Sequence, residues 1–184
     1  GIRINLETSG TRDERKAAAE LHTFARQLAP LGWHIQLYAA LPVIAKLGPE
    51  IADLPVEAVI DHFGAPVAAE GVGQPGFAVL LELVRNRKVF VKLSGCYRIS
   101  KAKDYADVAP FARALIEAGP DRLVWGSDWP HTGRSKSGSR TEIAPYQPIN
   151  DEHILGLLAQ WCPDSSIRRL ILAGTPSKLY RFTA

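Results

Sequence analysis

The sequence predicts an α/β fold of parallel βα units, with a (β/α)8 TIM barrel favoured over an open sheet. Its first sign is pitch. Five short runs of strand character begin near residues 1, 34, 56, 89 and 122, so the starts lie 33, 22, 33 and 33 residues apart, and helical patterns fill the gaps. A barrel of roughly 250 residues spends about 31 on each βα unit. The second sign is that the strands are two-faced. Side chains alternate across a strand, so Ile2, Ile4 and Leu6 oppose Arg3 and Asn5, Ile35 and Leu37 oppose His34, Gln36 and Tyr38, and Val91 and Leu93 oppose Lys92 and Ser94. Leu123 and Trp125 likewise oppose Val124, Gly126 and Asp128. An open α/β sheet carries helices on both faces and reads apolar on both. A face this polar is tolerable only as the hydrated, hydrogen-bonded inside of a barrel, because each buried polar group without a partner costs about 1–3 kcal/mol.

Each element has its own signal. Gly1–Leu6 is the first strand. Arg12–Ala29 repeats Ala17, Leu21, Phe24, Ala25 and Leu28 along one helical face, and Gly32 terminates it. His34–Tyr38 is the second strand. Pro42–Leu54 is a shorter helix, expected to break at Gly48-Pro49. Val56–His62 is the third strand, and Pro75–Arg85 is a helix with Phe77, Leu80, Leu81 and Val84 on one side. After the fourth strand, Val89–Ser94, the helix Asp104–Ala118 opens on a capping aspartate. It turns Val108, Phe111, Ala112 and Leu115 inward and stops at Gly119-Pro120. Leu123–Asp128 is the fifth strand. A polar loop from Thr132 to Pro148 follows, with a low-complexity stretch at Gly133–Arg140 that reads as mobile; helices near Asn150–Trp161 and Ser165–Ala173 come last.

Composition bounds the function. The 184 residues are 46% hydrophobic and 22% charged, which excludes a disordered chain and fits a single domain over residues 1–184. A net charge of +3 with no basic block gives no support for nucleic-acid binding. The longest apolar stretch, Phe77 to Val84, contains Glu82 and is too short for a membrane span. The two cysteines form no disulfide framework, so the expected compartment is reducing and cytoplasmic. With no methionine and an opening on Gly1-Ile2-Arg3, the true start of the chain is expected to lie upstream.

The candidate chemistry gathers at the C-terminal strand ends, where barrel enzymes place it. Asp128 can act as a general base for water. His62 can polarise a carbonyl or bind a divalent metal. Arg3 and Arg98 can clamp a substrate carboxylate, and Tyr38 adds a donor. Against these stand plainer roles: a structural histidine, a turn aspartate, and Arg3 paired with an acidic residue in the barrel floor. Lys92 and Ser94 are expected to satisfy each other across neighbouring strands. Cys96 and Cys162 are expected to be plain small residues, with no CxxC pattern or histidine partner. No dinucleotide, P-loop or GxSxG signature is present.

Five segments carry a resemblance: Gly1-Ile2-Arg3-Ile4-Asn5, His34-Ile35-Gln36-Leu37-Tyr38, Val59-Ile60-Asp61-His62-Phe63-Gly64, Val91 to Arg98, and Trp125-Gly126-Ser127-Asp128-Trp129-Pro130-His131. In order and spacing they resemble successive strands of the amidohydrolase superfamily, in the amidohydrolase-2 branch that includes pyrone-dicarboxylate and sugar lactonases. The ending Thr175-Pro176-Ser177-Lys178-Leu179-Tyr180-Arg181-Phe182 is similar to that branch's N-P-x-x-L-Y-x-F close, with Thr175 in place of Asn. The resemblance implies an incomplete barrel, about strands four to eight with their helices. It makes Asp128 the carboxylate that activates water, His62 the histidine near the scissile carbonyl, and Arg3, Tyr38 and Arg98 the groups that hold substrate carboxylates. Two departures count. Ala65 stands where the pyrone-dicarboxylate pattern has an arginine, which favours a monoanionic or neutral lactone. The first-strand His-x-His is absent.

The expectation is therefore a hydrolase of lactones or related cyclic esters, its small-molecule substrate anionic, with His131 either supporting Asp128 from behind or serving a structural role. The cofactor is either none or one divalent ion, zinc first, held by His62 and Asp128 with groups from elsewhere. No nucleic acid or membrane partner is expected, and a homo-oligomer is compatible with the sequence. The rivals are a metal-dependent decarboxylase of the same superfamily, a binding module without chemistry, and a non-catalytic fragment. The last follows because five strands cannot close an eight-strand barrel, and this chain alone is expected to be inactive and prone to self-association.

Overall fold

The computed structural model describes residues 1–9, 14–133, 143 and 145–182. Five strands, β1 (Ile2–Asn5), β2 (Ile35–Tyr38), β3 (Ala58–Ile60), β4 (Val89–Leu93) and β5 (Leu123–Trp125), form one sheet in sequence order. Every neighbouring pair is parallel. Among the described residues ten α-helices connect and follow them, besides short 3-10 and π turns: α1 (Leu6–Ser9), α2 (Glu14–Leu28), α3 (Leu41–Lys46), α4 (Gly48–Ala52), α5 (Phe77–Arg85), α6 (Cys96–Ile99), α7 (Ala109–Ala118), α8 (Asp151–Trp161), α9 (Ser165–Arg169) and α10 (Thr175–Tyr180). The Gly133–Arg140 stretch lies, apart from Gly133, outside the described residues.

Register makes the two faces explicit. Ile4, Leu37, Ile60 and Val91 stand side by side, and Leu123 continues the row. All are buried in the core that the sheet shares with α2, α5, α7 and α8. One residue out of phase, Arg3, Gln36 and Val59 align on the other face, and Lys92 aligns with Val124. The polar face thus looks away from these four helices. Phe77 of α5 meets Phe111 of α7 edge-on at 4.9 Å, and Leu21, Leu80 and Leu115 are fully buried. Leu81, expected on the inner side of α5, is half-buried, and Leu83 is buried instead.

Of three helix boundaries, two differ from the sequence expectation and one agrees. Asp104 does not cap a helix: it and Tyr105 have φ of 55° each within a 3-10 segment, and α7 begins at Ala109. Pro110 explains the later start, since a proline in the first helical turn is pre-set in φ and lacks only an amide hydrogen that has no partner there. The break between α3 and α4 falls at Leu47, next to Gly48-Pro49 as anticipated. Near the C-terminus, Gly174 and Pro176 do not stop the chain. A π turn at Leu170–Gly174 absorbs the irregularity, and helical backbone runs on into α10. Tyr180 of α10 packs its ring 5.4 Å from His34, which places this helix by the N-terminal end of β2, opposite the strand ends considered next.

Candidate active site

The strand ends turn inward by distinct local devices. After β3, Asp61 keeps the alternation and points to the polar face. His62 and Phe63 then adopt left-handed backbone, with φ of 51° and 57°. For L-residues this costs roughly 1–2 kcal/mol each. It breaks the alternation, so the His62 ring joins the mouth while Phe63 goes to the core, edge-on to Trp161 at 5.7 Å. After β4, Ser94 and Gly95 lead into the single turn of α6, which folds Tyr97 and Arg98 back over the strand end. After β5, Asp128 takes φ of 67°, and the Trp129–Pro130 peptide that follows is cis.

The five sequence-derived residues Arg3, Tyr38, His62, Arg98 and Asp128 form one chain of contacts. The Arg3 guanidinium lies 5.1 Å from the Tyr38 ring centre. Tyr38 meets His62 nearly perpendicularly, with centroids 4.9 Å apart. His62 Nε2 is 3.8 Å from Asp128 Oδ1. The other Asp128 oxygen, Oδ2, accepts from the Tyr97 hydroxyl at 2.6 Å and from Arg98 Nε. His131 is buried; its backbone N–H donates to the Asp128 carbonyl at 3.1 Å, and its ring stands edge-on to Tyr97 at 5.6 Å. On its far side, His131 Nε2 is 3.0 Å from Asp151 of α8.

Three functional-looking residues escaped the sequence reading. The Asp61 side chain, 1% exposed, is the hub beneath the mouth. Its Oδ2 accepts from Arg3 Nε and from Gln36 Nε2, both at 2.9 Å, and Lys92 Nζ lies 3.1 Å from Oδ1. Ser94 Oγ lies 2.9 Å from His62 Nδ1. Tyr97, noted only as part of a motif, holds the proposed base. The expected Lys92–Ser94 pairing is therefore corrected. Two residues apart on one strand, they point the same way about 7 Å from each other, and each finds a nearer partner. Strand alternation alone could have flagged Asp61, since it puts the residue on the inner face with Val59. The plainer reading of Arg3, as partner of a buried acid, describes its Nε.

Electrostatics follow from burial. Desolvation works to raise the Asp61 carboxyl, but Lys92, His62, Arg3 and Gln36 together outweigh it and hold the group below the usual range. Burial pulls the His62 imidazole down, against the pull of Asp128 and Asp61. Burial, then the bond to Asp128, pushes the Tyr97 phenol up, so Tyr97 is a proton-bearing donor. Burial pushes the Cys96 thiol up to about 12, in keeping with a plain packed residue.

A zinc ion needs at least three protein ligands. Among the described residues no three His, Cys, Asp or Glu side chains are grouped to hold one, so His62 and Asp128 by themselves do not fit a metal centre. A separate cavity of about 460 Å³ opens at the other end of the strands, between Trp33, Phe90, Arg122 and Thr175, away from these groups. No helix among the described residues is long and apolar enough to cross a membrane.

The family model described as amidohydrolase matches residues 1–182. The chain is 38% identical over 151 residues to a 4-sulfomuconolactone hydrolase of Hydrogenophaga intermedia, covering 82% of this chain and 47% of that protein. It is 30% identical over 171 residues to a 2-pyrone-4,6-dicarboxylate hydrolase of Comamonas testosteroni, covering 88% of this chain and 53% of the other. Among solved structures, a putative 2-pyrone-4,6-dicarboxylic acid hydrolase from Pseudomonas putida superposes with a TM-score of 0.71 at 31% identity, over 87% of this chain and 56% of that one. The chain thus spans about half the length of the curated relatives it matches.

Proposed function

This chain belongs to the amidohydrolase family, and from that premise we propose that it supplies strands four to eight of a (β/α)8 barrel in a protein that hydrolyses a small lactone bearing an anionic group. The observation that carries the reading is the divided carboxylate of Asp128. Tyr97 and Arg98 occupy Oδ2, while Oδ1 and His62 Nε2 stand side by side 3.8 Å apart, so that a water on the first and a carbonyl oxygen on the second would be neighbours. The relatives support the substrate class, since those just named are hydrolases of a muconolactone and of a pyrone by description.

Water on Oδ1 gives its proton to Asp128 as its oxygen attacks the lactone carbonyl carbon. His62 donates to the oxyanion that develops, the interaction with most leverage in acyl transfer. As the ring ester bond breaks, Asp128 returns the proton to the leaving alkoxide, and the product is an open hydroxy acid. Arg3 and Arg98 keep their Nε atoms on Asp61 and Asp128. Their outer guanidinium edges, with the Tyr38 hydroxyl, orient the anionic group. Ala65 adds no arginine beyond these two, which favours one anionic group over two. No step here is routed through a metal.

The test is a panel of five- and six-membered lactones, with and without a carboxylate, offered to the whole protein. The expected product is the hydroxy acid, and Asp128→Asn should lower turnover by at least about a hundredfold while lactone binding persists. Release of carbon dioxide, or rearrangement without uptake of water, would overturn the reading.

A further inference from the structure

We propose that Ser94 is a positioning residue that holds His62 in one protonation form: Asp128 selects Nε2–H, and the Ser94 hydroxyl, by donating to the bare Nδ1 that this form leaves, keeps Nε2–H turned toward Asp128 and the substrate. The catalytic use of this arrangement rests on the lactone-hydrolase reading; the arrangement itself does not.

A neutral imidazole has one N–H and one bare nitrogen, and the two sides of His62 face unlike groups. On one side Ser94 Oγ, in a residue only 1% exposed, lies 2.9 Å from Nδ1. A hydroxyl can serve as donor or acceptor, so it accommodates either form of the ring. On the other side Nε2 is 3.8 Å from Asp128 Oδ1, and a carboxylate only accepts. A bare Nε2 would set two lone pairs against each other, whereas Nε2–H sets a donor toward an anion. The carboxylate therefore selects the form and the serine completes it. The ring has little room to rotate away. Tyr38 stands against it at 4.9 Å, and Gly95 lies so close that a Cβ there would come 2.8 Å from Nδ1. An Nε2–H on this line is the donor that a developing oxyanion needs.

The test uses the whole protein labelled with ¹⁵N-histidine, where two-bond nitrogen–proton spectra distinguish the two tautomers. Wild type should show His62 as the Nε2–H form. Ser94→Ala should show a mixture or the opposite form, and Ser94→Thr, which keeps the hydroxyl, should retain the wild-type pattern. With a lactone substrate, Ser94→Ala should lose roughly tenfold to a hundredfold in kcat at little change in KM, and Ser94→Thr should recover most of it. An Nδ1–H form in wild type, including one produced by a divalent ion bound at Nε2, would overturn the proposal. So would an Ala variant whose spectrum is unchanged. If no lactone is turned over by wild type, the hydrolase reading fails while the spectra still decide the role of Ser94.

Discussion

Gly95 and His62 are in such close approach that a methyl group on the glycine would lie 2.8 Å from the imidazole Nδ1, and 3.1 Å from Asp128 Oδ2. The glycine also sits at φ of 66°, where an L-residue is strained. Gly95→Ala should therefore push the ring and the carboxylate apart. A displacement of about 1 Å at a reacting centre is worth up to roughly a hundredfold in rate. Gly71, at φ of 72° and ψ of 174° an even more strained place for alanine, has nothing within 4 Å of an added Cβ and is the control for strain without a clash. Steady-state kinetics should show activity lost in Gly95→Ala and kept in Gly71→Ala, although both variants carry backbone strain and melt lower. Equal loss in the two would mean that strain, not the close approach, is responsible.

Asp61 offers a stability test. Its carboxylate neutralises Lys92 and Arg3 beneath the mouth. Asp61→Asn leaves both cations uncompensated, a change that costs about 3–5 kcal/mol for a fully buried pair. Arg3 is 43% exposed, so water screens part of this and the lower end is expected. Because the folded carboxyl is held below its ordinary value, its contribution is fully present above the unfolded carboxylate pKa and is lost as pH falls through the folded one. Urea unfolding should show a large gap between wild type and Asp61→Asn at about pH 7 that starts to close only as pH falls below about 4. A gap independent of pH would remove the ionic explanation.

The sidedness of the strands was legible because alternation is a local property. Ile4 and Leu37 against Arg3 and Gln36 already separate the helix-facing side from the other. The motif ends Asp128 and His62 were legible for a related reason, since a polar residue closing an apolar strand stands out. Asp61, Ser94 and Tyr97 were less so. The partner of Asp61 at the first strand is 58 residues away, and Ser94 reaches His62 across 32. Tyr97 reaches Asp128 only because α6 folds back after Gly95. Asp104 misled in the opposite way: it has the chemistry of a cap, but Pro110 set where α7 begins.

Tyr97 should matter through its hydroxyl alone. The bond to Asp128 Oδ2 at 2.6 Å involves an ionised acceptor, and such bonds are worth about 1.5–3 kcal/mol. Tyr97→Phe keeps the ring that packs against His131 and removes only this donor. The expected result is a fall in kcat of roughly tenfold to a hundredfold, with unfolding near that of wild type. A rise in KM at constant kcat would instead place the hydroxyl on the substrate.

The pH response of His62 follows from its burial. Desolvation is the largest influence and outweighs Asp128 and Asp61, so the imidazole titrates below its ordinary 6.5. A histidine whose folded pKa is lowered binds its proton less readily than the unfolded chain does. Its contribution to stability is thus complete above about 6.5 and is lost progressively as pH falls toward the folded value, at up to about 1.4 kcal/mol per pH unit. His34 is lowered by burial as well, so wild type carries two such residues and His62→Asn keeps one of them. Unfolding free energies measured between about pH 7.5 and about pH 5 should therefore fall more steeply for wild type than for His62→Asn, and the difference between the two slopes belongs to His62. Activity should fall in the same direction, because an imidazolium would be fixed by Asp128 rather than offered to the carbonyl oxygen. A wild-type slope no steeper than the variant's, or an NMR midpoint for His62 above 6.5, would mean that the two carboxylates outweigh burial and that the ring enters the reaction already charged.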